Sequence, residues 1–148
     1  MRRKGSLLAG AIALAGALTA AAAFAATITE NGHVTGAPNS SVSFTVVKGA
    51  KGPTAVTHFG VMRAPATCHS GPPTASVAFP KTLAVASNGT FRGQVTLSGH
   101  GLSGYFKLSG KVSKDGRSAS GTLNIDKVAP LPIGACKTGA RAWTAKAR

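Results

Sequence analysis

Lys114-Asp115-Gly116-Arg117 stands between two runs, Phe106 to Val112 and Ala119 to Ile125, in which apolar or small residues alternate with polar ones. Asp-Gly in that setting predicts a β-hairpin with a type I′ turn, because Asp and Gly both tolerate the positive φ angles such a turn requires. With Lys114 facing Arg117, Phe106 falls opposite Ile125, Leu108 opposite Leu123, Gly110 opposite Gly121 and Val112 opposite Ala119. These pairs share one face, while Lys107 with Asn124 and Lys111 with Ser120 share the other. A slip of one residue would exchange the faces, so the apolar matching selects this register. The two facing glycines leave a gap, and Trp143 is the expected occupant.

A second hairpin is expected just upstream. Phe91, Gly93, Val95 and Leu97 alternate with Arg92, Gln94 and Thr96, and Ser98-Gly99-His100-Gly101 supplies a turn. Pairing Leu97 with Leu102 sets Phe106 across from Gly93, an aromatic ring covering a glycine. Further strands are predicted at Val42 to Val47, with Val42, Phe44 and Val46 inward, and at Val56 to Ala64, with Phe59 and Val61 inward. Ala75 to Phe79 and Ala140 to Ala145 complete the set. Turn residues separate them: Gly49 to Pro53, Ser70 to Pro73, Pro80 and Asn88-Gly89. Ala129 to Pro132 is expected to be irregular, since its prolines cannot donate to a ladder. No segment has a helical period with caps. Seven or eight short strands predict an all-β domain, an antiparallel sandwich or small barrel.

The first residues read differently. Arg2, Arg3 and Lys4 precede an uncharged run from Leu7 to Ala23, and Ala23-Phe24-Ala25 fits the small-residue rule for cleavage. Residues 1–25 are therefore expected to be a signal peptide cut before Ala26, leaving residues 26–148 as one domain outside the cytoplasm, extracellular or in the cell envelope. An uncleaved anchor is disfavoured because Ala and Gly contribute little to insertion. No Cys at the cut invites lipidation, and no second apolar span follows, so no integral membrane segment is expected after cleavage. In an oxidising compartment Cys68 and Cys136 are expected to form a disulfide. They lie 68 positions apart. The chain-entropy model gives roughly 4 kcal/mol for such a loop.

The full chain carries a formal charge of +14, and losing three basic residues with the signal peptide leaves +11. Such a surface attracts polyanions. Lys107, Lys111, Arg92 and Arg117 are the candidate anion contacts, although the basic residues are scattered rather than run together. Glu30, Asp115 and Asp126 are the only acids, too few for paired-carboxylate catalysis or for a calcium site. Asp115 is taken up by its turn. His33, His58, His69 and His100 lack metal-ligand spacing, and no nucleophile elbow or phosphate loop is present. Neither catalytic residues, a metal nor a cofactor is expected. Tyr105 is expected to face outward beside Lys107 and Gln94, the one aromatic available for stacking.

Val42-Ser43-Phe44-Thr45-Val46, Cys68, Gly89-Thr90-Phe91-Arg92-Gly93, Ser120-Gly121-Thr122-Leu123, Cys136 and Trp143-Thr144-Ala145 together form a pattern. In these motifs the chain resembles a family of small exported all-β proteins of high-GC bacteria. The resemblance implies a secreted β domain and carries no activity. The expected function is a non-enzymatic β module that holds anionic envelope or extracellular polymers on its basic surface. The alternative is an inhibitor of an extracellular hydrolase such as a protease, presenting the Pro65 to Pro73 loop braced by the disulfide.

Overall fold

The computed structural model describes residues 25–130 and 134–148. The predicted signal peptide therefore lies outside the described residues, apart from Ala25, as do the last residues of the proline-rich segment after Ala129. The chain is all-β: β1 (Ala26–Val34), β2 (Ala37–Gly49), β3 (Gly52–Pro65), β4 (Thr67–Cys68), β5 (Thr74–Ala78), β6 (Leu83–Ala84), β7 (Thr90–Thr96), β8 (Ser103–Val112), β9 (Ser118–Val128), β10 (Ala135–Lys137) and β11 (Arg141–Ala147). Eleven strands replace the expected seven or eight, because β1 and the short β4, β6 and β10 were not anticipated.

All the pairings are antiparallel. β7, β8 and β9 form a meander; β9 continues through β11, β1 and β2 to β3, whose far side takes β5 and β6. Among the described residues no ladder joins β7 to β5 or β6, so the sheet is not closed into a barrel. Side chains bridge that seam instead. A Cβ on Gly93 of β7 would collide with Leu83 and come within 2.9 Å of Phe79.

The β8–β9 register is the expected one at all four apolar pairs. Its turn is not type I′. Asp115 keeps a negative φ and Gly116 alone is left-handed, at 74°. The Gly116 amide donates to the Ser113 carbonyl, and the Ser113 amide donates to the Ser118 carbonyl. Asp115 accepts from the Ser113 hydroxyl and the Arg117 amide, which fastens a four-residue loop rather than a two-residue one. The type I′ geometry occurs in the other hairpin. His100 and Gly101 both have positive φ, 51° and 76°, between Gly99 and Leu102. That turn slides the β7–β8 register two residues from the expected one. Val95 faces Phe106, and Gly93 faces Leu108. A slip of two preserves both faces, so the apolar pattern could not detect it.

Two irregularities in β3 keep its apolar residues inward. Val56, Phe59, Val61 and Ala64 are all buried although two of the gaps are three residues long. The register shifts against β2 and β5 fall within those gaps, where His58 and Arg63 have positive φ, 53° and 54°. Each extra residue resets the alternation. The core assembles around Trp143, which is wholly buried and lies 5.3 Å from Phe59 and 5.6 Å from Phe44 between ring centroids. It also fills the gap between Gly110 and Gly121, as expected: a Cβ on either glycine would lie 2.8 Å from its ring.

Cys68 and Cys136 form the disulfide, directly opposite each other where β4 meets β10. β10 in turn pairs with the end of β9. The bond thus ties the segment after β3 to the opposite end of the sheet, near the start of the last strand.

Candidate anion-binding face

Alternation decides what the outside of the meander presents. With Phe91, Val95, Phe106, Leu108, Leu123 and Ile125 buried, the residues between them must face solvent. Arg92, Gln94, Lys107, Ser109 and Lys111 therefore stand on one outer surface, with Ser120, Thr122 and Asn124 beside them on β9. The register makes the arrangement specific. Arg92 lies opposite Ser109, which sits midway between Lys107 and Lys111 on β8. Three cations thus surround one serine. Lys107 faces Gln94 and Asn124, and Lys111 faces Thr90 and Ser120.

Two shallow grooves run over this surface. One, of about 630 Å³, is lined by Arg92, Gln94, Lys107, Ser109 and Asn124 among others. The second, of about 710 Å³, shares Arg92 and Ser109 and extends to Lys111 and Ser120. No acid lines either one. Asp126 lies toward the end of β9 and is engaged by Lys137 at 3.6 Å. Tyr105 is half-buried at the margin, with the Lys107 ammonium 4.9 Å from its ring centroid, a cation–π contact.

Arg117, the fourth expected contact, is not with the others. It sits in the β8–β9 loop beside Asp115, whose carboxyl is held below its ordinary range by the Ser113 hydroxyl and the Arg117 amide. The four histidines are exposed, and among the described residues no three metal-ligating side chains come together.

The residue that sequence reasoning missed is Glu30. It stands on the inward face of β1, opposite Phe44 and Ala147, and is wholly buried. Neither carboxylate oxygen has a hydrogen-bond partner. Burial pushes its pKa up, Asp115 adds to the rise, and Arg117 opposes it. The available signal was its parity: Glu30 occupies the position between Ile28 and Val34 where an alternating strand carries inward residues.

A second exposed feature lies at the disulfide. His69 to Pro73 projects outward and is held at its ends: the Ala66 amide donates to the Pro73 carbonyl, and the His69 amide to the Ala135 carbonyl.

No family model, curated protein or solved structure matches the chain.

Proposed function

We propose that this protein is a non-enzymatic binding module, exported from the cell, that holds anionic polymers on the outer face of β7, β8 and β9. The observation that carries the reading is the grouping of Arg92, Lys107 and Lys111 around Ser109 in grooves without an acid. Cations gathered on one face attract a polyanion at long range, and the surrounding hydroxyls and amides supply neutral donors at contact. The disulfide fits an oxidising compartment, and membership of the exported family the chain resembles belongs to the same proposal.

Retention on immobilised heparin tests it, comparing two triple variants that remove equal charge. Replacing Arg92, Lys107 and Lys111 by Gln is expected to lower the eluting salt concentration clearly more than replacing Lys51, Arg63 and Lys81. Equal shifts would reduce the effect to net charge, and flow-through of the unaltered protein at low ionic strength would sink the reading.

The second reading, a hydrolase inhibitor, is favoured by the braced loop from His69 to Pro73. Inhibition of an exported protease that disappears when this loop is replaced would select it.

A further inference from the structure

The grooves over the meander do not stop at β9. A third, of about 340 Å³, shares Lys111 and Ser120 with the second and continues over β11 to Thr144 and Lys146. Lys146 is exposed and lies opposite Ser118. The three grooves therefore join into one trough with four cations, Lys107, Arg92, Lys111 and Lys146.

Each cation has a neutral donor directly across the strand: Asn124 for Lys107, Ser109 for Arg92, Ser120 for Lys111 and Ser118 for Lys146. The hydroxyls of Ser109, Ser118 and Ser120 are not engaged by other protein groups among the described residues. Strand geometry gives the trough its length. Six residue steps along the strands and two strand spacings separate Lys107 from Lys146, about 20 Å along the strands and roughly 22 Å on the diagonal.

Resting on the reading above, we infer that the ligand is an extended linear chain of phosphates, laid diagonally across β7, β8, β9 and β11, with Lys146 gripping its far end. A phosphate presents one negative charge and more than one free acceptor oxygen, which matches a cation and a hydroxyl or amide donor at each step. A compact anion at Ser109 would reach at most Arg92, Lys107 and Lys111 and would leave Lys146 and Ser118 unused, whereas an extended chain can engage all four cations. Phe91 lines the second groove but its side chain is buried, so among the described residues the trough's interior offers no exposed ring on which bases or sugars would stack. Tyr105 stands at its margin alone.

The probes are long-chain inorganic polyphosphate, tripolyphosphate and orthophosphate, titrated calorimetrically against the oxidised protein. Long-chain polyphosphate is expected to bind and orthophosphate to fail at the same phosphate concentration. Lys146→Gln is expected to weaken the long chain by about threefold to fivefold. The same variant should weaken tripolyphosphate less than the long chain, because the short chain can sit among Arg92, Lys107 and Lys111 without reaching Lys146. Lys81→Gln, removing the same charge elsewhere, should do neither. If Lys146→Gln leaves the long chain unaffected, or matches Lys81→Gln, the inference fails while heparin retention through Arg92, Lys107 and Lys111 survives. If the long chain does not bind and heparin retention is also insensitive to those three residues, both fail together.

Discussion

Trp143 lies across from Gly121 in the β9–β11 ladder, and its indole occupies the space in which side chains at Gly121 and Gly110 would grow. The core is built around this one ring, which also contacts Phe44, Phe59 and Phe91. A Cβ at Gly110 would lie 2.6 Å from Phe91 and 2.8 Å from Trp143. Gly110→Ala is therefore expected to cost about 1–3 kcal/mol through overpacking. Combining it with Trp143→Phe should reduce that increment, because the smaller ring frees the space. Urea unfolding of the single and double variants measures the coupling, and strictly additive costs would contradict it.

Glu30 predicts an unusual dependence of stability on pH. Its folded pKa is raised by burial, so the folded state holds the proton more tightly than the unfolded chain does. The contribution of this group is fully present below the unfolded value of about 4.3, and it is lost as pH rises through the folded pKa. Glu30→Gln removes the charge that must be buried and should add about 1–3 kcal/mol near neutral pH, with no gain below about pH 4. Denaturation midpoints across that range decide it. A gain that persists unchanged at low pH would mean that ionisation is not the cause.

The disulfide is expected to hold the β4–β10 junction rather than the meander. Replacing both Cys68 and Cys136 by Ala should cost no more than about 4 kcal/mol for a loop of this length. Amide exchange is expected to accelerate most at Thr67 and Lys137, while Leu108 and Leu123 stay the slower. Uniform acceleration throughout would show that the bond constrains the unfolded chain alone.

His100 carries a left-handed backbone in the type I′ turn that sets the β7–β8 register. Asn adopts that conformation more readily, so His100→Asn should raise stability by about 0.5–1 kcal/mol and leave the register in place. Thermal unfolding gives the sign, and a loss of stability would show that the imidazole makes a contribution of its own.

How far the sequence could be read depends on the range of the interaction in question. The β8–β9 register was legible because Asp115-Gly116 centres the hairpin and a slip of one residue would turn either Leu108 or Leu123 and Ile125 to solvent. The β7–β8 register was not, since a slip of two leaves each residue on its own face and the decision passes to the His100-Gly101 backbone. β1 was missed because Glu30 stands where an apolar residue was needed to complete the alternation. The place of Trp143 was legible from the Gly110–Gly121 gap, which no residue within the hairpin could fill.

By itself, then, the sequence determined the β class, the inward and outward sets of β2, β7, β8 and β9, the main hairpin and the pairing of its two cysteines. These follow from the two-residue period of a strand and from matching between nearest partners. Tertiary structure decided which strands lie side by side, because strand order depends on contacts between residues far apart in the chain. That order buries Glu30 between β2 and β11. It also brings Lys146, from the last strand, into line with Lys111, Arg92 and Lys107. Scattered along the sequence, these four cations share a trough because the last strand pairs with β9, and no local pattern of residues encodes that neighbour.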